Sequence, residues 1–231
     1  LSSLITAILT QVQILHLHTQ LNREGKKMYR RDVKAIIEIC EAKQSVLPAG
    51  TFVLTTIQSA LFQCKNQIKD TNVNGADSKY MWGKKGDGYD YLRKHDAFLW
   101  GKVNHIKQSM GTDSVEACVS AIELFLPVPN LGMVKAAFVA QCLGFNVACI
   151  DSHNLKRLGM NENQVKLGKV KPETRHNKIT AYVEMTQQQG SEYWWDSWCE
   201  YVAGNQANRQ LDTGDVVSRY HVECVDLVEV K

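Results

Sequence analysis

The stretch LPVPNLGMVKAAFVAQCLGFNVACIDSHNLKRLG, Leu126 to Gly159, holds the residues of this chain whose types and order could do chemistry. Asp151 is the sharpest of them. It follows the uncharged link Phe145 to Ile150 and stands directly before Ser152-His153-Asn154-Leu155-Lys156-Arg157. A carboxylate at the mouth of an apolar wall can stabilise a developing positive charge or take a proton from water. The same residue type at the head of a helix is also an N-cap, accepting from the first free backbone N–H groups. The two roles are compatible. Upstream, Pro129-Asn130-Leu131-Gly132 runs straight into the small-residue helix Met133 to Leu143. Pro129 fixes φ and ends the preceding helix, while Asn130 and Gly132 are of the types that enter left-handed backbone. A tight turn that opens a helix leaves the first N–H groups of that helix unpaired, which makes an anion site that fits a phosphate. The expected cradle is the backbone of Leu131, Gly132 and Val134, with Asn130 in the turn and Lys135 nearby.

The elements that must position these groups read as helices. Leu4, Ile8, Val12 and Leu15 recur at helical spacing over residues 1–22. His16 and His18 there lie about 200° apart on a helix and cannot share one metal. Asp32 to Lys43 continues as a helix with Val33, Ile36, Ile37 and Cys40 inward; Pro48-Ala49-Gly50 is expected to turn, and Thr51 to begin another helix with Phe52, Leu54, Ile57, Leu61 and Ile68 apolar. Thr71 to Gly75 reads as a polar loop. Ser78 to Gly111 reads as the least regular part, with Gly83, Gly86 and Gly88 among Trp82, Tyr89, Tyr91, Trp100, Lys84, Lys85, Arg93 and Lys94. Its glycine spacing is no dinucleotide or P-loop pattern. Basic residues among aromatics suit stacking on unpaired bases, but the preferred reading is a loop packed by its own aromatics. Thr112 or Asp113 can cap a helix from Ser114 to Leu126, and Gly144 suits the end of the helix after the turn. Further helices are expected from about Glu173 to Gln189 and from Glu192 to Ala203, the latter carrying the core-type cluster Trp194, Trp195 and Trp198. Gly204 to Gly214 reads as a loop and Asp215 to Val230 as a helix, with Val216, Val217, Tyr220, Cys224 and Val228 on one face, or as the strand its Val content suggests.

The order turn, small-residue helix, apolar link, Asp-Ser-His resembles the helix-hairpin-helix DNA glycosylase superfamily. The family pattern is a Leu-Pro-Gly-Val-Gly-like hairpin followed, past its helix, by Val-Asp-Thr-His. Here the matching residues are Val128-Pro129-Asn130-Leu131-Gly132 and Ile150-Asp151-Ser152-His153, so the likeness spans about 35 of 231 residues. Asn130 replaces the first hairpin Gly. Val134 stands where family members with lyase activity carry a Schiff-base Lys, and Lys135, one residue later, is turned about 100° around the helix. The resemblance implies an all-α, two-lobed fold: a hairpin-bearing lobe of about residues 25–160, and a second lobe of residues 1–24 with 161–231. It implies a partner, double-stranded DNA, and monofunctional cleavage of the N-glycosidic bond of a modified or mismatched base, with Asp151 catalytic and water as nucleophile. Asn130, Leu131, Gly132, Val134, Lys135, His153, Lys156 and Arg157 are the implied DNA contacts. Two other readings stay open. In one, the hairpin only grips DNA and Asp151 is a cap. In the other, the fold serves modified-thymine metabolism, as in some phage relatives of the superfamily. The expected setting is cytoplasmic or nucleoid-associated, or viral.

Composition limits the alternatives. At 231 residues and 44% hydrophobic content the chain can bury a proper core. No apolar run approaches the roughly 18 residues of a membrane span, and Leu1 to Leu21 lacks the basic start and cleavage site of a signal peptide. The seven Cys form no C-x-x-C pair, which fits reduced thiols and gives neither a metal site nor the iron–sulfur loop of some glycosylases. No cofactor is expected. Lys156 to Lys178 carries seven Lys/Arg against two Glu, a net of +5, while Glu184 to Lys231 carries nine Asp/Glu against three Lys/Arg, a net of −6. The basic run suits a phosphate-tracking surface or an ordinary solvated face; the acidic part points away from nucleic acid or contacts a protein partner. Arg23 to Lys34 is a second strongly basic run.

Overall fold

The computed structural model describes residues 31–56 and 64–195, and among them it is helical with no strand. The all-α expectation holds for these residues. Helix 1–22 with His16 and His18, the basic residues Arg23 to Arg30, Ile57, Leu61, Trp198, and everything from 196 onward lie outside the described residues. So do the elements needed to judge a second lobe built from both chain ends.

Helix α1 (Arg31–Lys43) buries Ile36 and Cys40. It stops at Gln44, whose φ of 49° is left-handed. Helix α2 (Leu47–Thr56) is buried from Ala49 to Thr55 and crosses the middle of the core. Its sequence, LPAGTFVLTT, has no polar stripe, as a helix enclosed on all sides requires. The expected turn at Pro48-Ala49-Gly50 is therefore corrected: these residues form the first turn of α2. Pro is tolerated there because its missing N–H would have no intrahelical acceptor. The orphan N–H groups of Val46 and Leu47 donate to Asp96 Oδ1 at 2.8 and 3.2 Å, a cap supplied from a distant helix.

Helix α3 (Cys64–Asn74) absorbs most of the expected polar loop 71–75, since Thr71 is buried and its hydroxyl donates to Ser78 Oγ. A 3-10 turn, Gly75–Asp77, follows. The largest correction is α4 (Lys84–Met110): the segment read as irregular is a 27-residue helix. Tyr89, Leu92, Leu99, Trp100, Val103 and Ile106 are buried at positions that fall on one helical face, so apolar periodicity outweighs the weak helix propensity of glycine. The aromatics mostly pack the protein itself. Tyr89 and Trp100 are in the core, whereas Trp82 is 54% exposed and lies over the buried Lys85 ammonium, 4.7 Å away.

Helix α5 (Val115–Phe125) is capped by Ser114, whose hydroxyl accepts from Ala117 N at 3.1 Å, one and two residues beyond the expected caps Asp113 and Thr112. Helix α6 (Met133–Cys142), the short α7 (Ser152–Leu158) and α8 (Pro172–Gln187) complete the described helices, and residues 191–195 are helical. Gly144, at φ 92°, ends α6 as expected. Helix α8 packs against α5 in antiparallel fashion. Gln187 Nε2 donates to the Asp113 carbonyl at 2.8 Å at one end, and His176 Nδ1 lies 3.2 Å from Glu123 Oε1 at the other. Trp194 and Trp195 join the core, with the Trp195 ring 5.9 Å from Phe138 and Phe138 5.7 Å from Phe52.

Candidate functional site

The α5–α6 turn is built from two successive backbone bonds: Val128 N to Phe125 O and Leu131 N to Val128 O, both 3.1 Å. Asn130 takes the left-handed conformation its type permits, at φ 69°. Gly132 does not: at φ −82° and ψ 178° it is an extended N-cap. Leu131 also departs from expectation, since its N–H turns inward to Val128 and its side chain is buried. Among the described residues, the N–H groups of Gly132, Met133 and Val134 have no acceptor, and no side chain caps α6. Asn130 and Gly132 are exposed, and a Cβ on Gly132 would meet nothing within 4 Å. The start of α6 is thus an open, amide-lined surface with positive helix-end character.

What seats this turn is Gly88 of α4. A Cβ there would lie 2.5 Å from the Pro129 carbonyl oxygen and 3.2 Å from Leu54 Cδ2. The absence of a side chain lets the turn rest on the α4 backbone. Gly88 was visible in the sequence as part of a glycine cluster, but its role depends on a contact across 41 residues of chain.

Asp151 is the N-cap of α7. Its Oδ1 accepts from His153 N at 3.1 Å and from Asn154 N at 3.0 Å. The link before it is neither helix nor strand, yet Val147, Ala148 and Ile150 are fully buried. Its backbone polar groups therefore need side-chain partners. Tyr182, from α8, donates its hydroxyl to the Ala148 carbonyl at 2.7 Å and accepts from Ile150 N at 2.9 Å. Gln141 Oε1 accepts from Cys149 N at 3.3 Å, and Asn154 Nδ2 donates to the Cys149 carbonyl at 2.9 Å. Sequence reading missed Tyr182, Gln141 and Asn154, because nothing in their spacing links them to the 148–150 backbone.

Lys135, Phe138 and Cys142 fall at helical spacing on α6, and the Lys135 ammonium lies 5.5 Å from the Phe138 ring. The Cys149 thiol is pushed up to about 12, chiefly by burial, with Lys135 acting to lower it and Asp151 to raise it. Val134 is half-buried against the core.

His153 and Lys156 are exposed on α7, where Arg157 also lies. Farther along the basic run, Lys171 to Lys178 is exposed throughout. The antiparallel pairing of α8 with α5, fixed by the His176–Glu123 contact, sets this exposed end beside the C-terminus of α5, where the turn begins. Lys166 is offset by Glu162 at 2.8 Å. No group of His, Cys, Asp and Glu among the described residues could hold a metal ion, and no described helix is long and apolar enough to cross a membrane. Comparison with protein-family models, with curated proteins and with solved structures found no match.

Proposed function

We propose that the chain is a DNA-binding protein of the helix-hairpin-helix glycosylase type, with the two-lobed fold of that superfamily, and that it hydrolyses the N-glycosidic bond of a modified or mismatched base. One observation carries the reading: exposed Lys171, Arg175 and Lys178 stand at the same end of α5 as the unpaired N–H groups of Gly132, Met133 and Val134. Helix amides grip one phosphate, and a basic strip beside them tracks the next ones along a duplex. Base excision requires the target nucleotide to leave the stack. Cleavage of its C–N bond passes through an oxocarbenium-like state, as in sugar hydrolysis. Asp151, at the head of α7, is the carboxylate that stabilises this charge and orients water. Val134 offers no amine, so the nucleophile is water and the enzyme lacks lyase activity.

A second reading rests on the two bonds that Asp151 Oδ1 accepts from His153 and Asn154. They give the carboxylate a structural purpose without chemistry and describe a module that binds DNA only. The test of the shared claim is duplex affinity against salt. Counterion release makes affinity fall steeply with ionic strength, and replacing Lys171 and Arg175 by Ala lowers the slope by about two charges. An affinity that stays flat from low to physiological salt removes both readings.

A further inference from the structure

Among the described residues, the irregular link that delivers Asp151 is held by side chains at each of its central peptide groups. The Tyr182 contribution is the most distant in sequence and the most complete. One hydroxyl bridges two backbone groups that flank Cys149, donating to Ala148 O at 2.7 Å and accepting from Ile150 N at 2.9 Å. Only a neutral phenol can do both, and burial keeps the Tyr182 hydroxyl well above its ordinary pKa, so it stays protonated. Ile150 is the residue before Asp151, and its peptide orientation sets the direction from which the Asp151 carboxylate leaves the chain. Tyr182 itself is 3% exposed and belongs to the helix that carries Arg175 and Lys178 and has Lys171 as its N-cap residue.

We infer that Tyr182 is a positioning residue for Asp151, holding the carboxylate in its working direction through the Ala148–Ile150 backbone. This rests on the glycosylase reading above for its consequence in catalysis, but not for its geometry. A buried link needs its polar groups satisfied in any case. What separates positioning from mere satisfaction is an effect at Asp151 itself. Displacing a catalytic group by an ångström costs on the order of 100-fold in rate, whereas a stabilising bond elsewhere costs stability alone.

The experiment uses Tyr182→Phe beside a control, Thr186→Val. The control deletes another buried hydroxyl of the same helix, one bonded to Val183 O at 3.0 Å rather than to the link. Two readouts are taken on the full chain. The first is amide hydrogen exchange at His153 and Asn154, the donors to Asp151 Oδ1. Exchange there quickens at least tenfold in Tyr182→Phe, with amides of α4 and α5 unchanged and the control silent. The second is single-turnover base release at saturating lesion duplex. The rate falls on the order of 10- to 100-fold in Tyr182→Phe, with duplex affinity unchanged and the control within twofold. Unchanged exchange at both amides overturns the proposal whatever the activity. A rate loss no greater than that of Thr186→Val also overturns it. A wild type that releases no base, with exchange altered as expected, overturns the glycosylase reading and leaves Tyr182 the positioner of a cap.

Discussion

Gly88→Ala tests whether the hairpin turn truly rests on α4. The new Cβ would sit 2.5 Å from the Pro129 carbonyl oxygen, against 3.4 Å for ordinary contact, so turn and helix must part by about 0.9 Å. The obstacle is backbone, which cannot swing aside as a side-chain end can. Forced overpacking of this kind costs about 1–3 kcal/mol. The substitution also brings a gain, since Ala exceeds Gly in a helix interior by up to about 1 kcal/mol. Gly101→Ala, in the same helix, shares that gain and meets nothing within 4 Å. Subtracting one variant from the other cancels the propensity and leaves the clash. For a chain of this size about 1 kcal/mol moves Tm by about 2–4 °C, so Gly88→Ala melts about 2–12 °C below Gly101→Ala. The assay is reversible thermal unfolding followed by circular dichroism, with duplex affinity measured on the same samples. Affinity falls in Gly88→Ala, where the turn has shifted, and not in Gly101→Ala. Equal melting temperatures would refute the close approach and with it the seating of the turn.

Three further outcomes are expected. Borohydride traps no covalent complex with abasic or lesion duplex, because Val134 has no amine; efficient trapping that disappears in Lys135→Ala would make Lys135 the nucleophile. Burial pushes the thiols of Cys40 and Cys149 up to about 12 and of Cys118 up to about 11, against an ordinary 9.0. A group whose folded pKa is raised keeps its contribution below the unfolded value and loses it as pH climbs, so stability declines from about pH 9 towards 12. In the native state the buried Cys40 and Cys118 resist alkylation near pH 8, and peptide mapping that finds them labelled as fast as in denaturant would contradict the burial.

How much of this was legible in the sequence depends on the range of the interaction responsible. Asn130, Gly144 and the cap at Asp151 were readable because local backbone chemistry fixes them, and the apolar spacing of α1, α5, α6 and α8 is local too. The φ of Gly132 was not readable, since a glycine type permits left-handed backbone without requiring it. Helix α4 was read as irregular because glycines and aromatics near its start mask a buried stripe that only becomes regular from Tyr89 onward. Pro48-Ala49-Gly50 was read as a turn because the cap that allows a helix there, Asp96, lies almost fifty residues away. The clamp on the 148–150 link was invisible for the same reason: Tyr182, Gln141 and Asn154 have ordinary spacing and acquire a role only when α6, α7 and α8 meet.

The central claim, that Asp151 does chemistry, is tested most directly by Asp151→Asn. Asn ranks with Asp as an N-cap, so the variant keeps the cap and loses well under the ~1 kcal/mol typical of a lost one. What it loses is the negative charge. The measurement is alkaline strand cleavage of duplexes carrying uracil, alkylated, oxidised or hydroxymethylated bases, wild type against variant. Base release on at least one duplex, falling by orders of magnitude in Asp151→Asn while binding persists, is the predicted result; an equally active variant, or a wild type that binds every duplex and cleaves none, contradicts it.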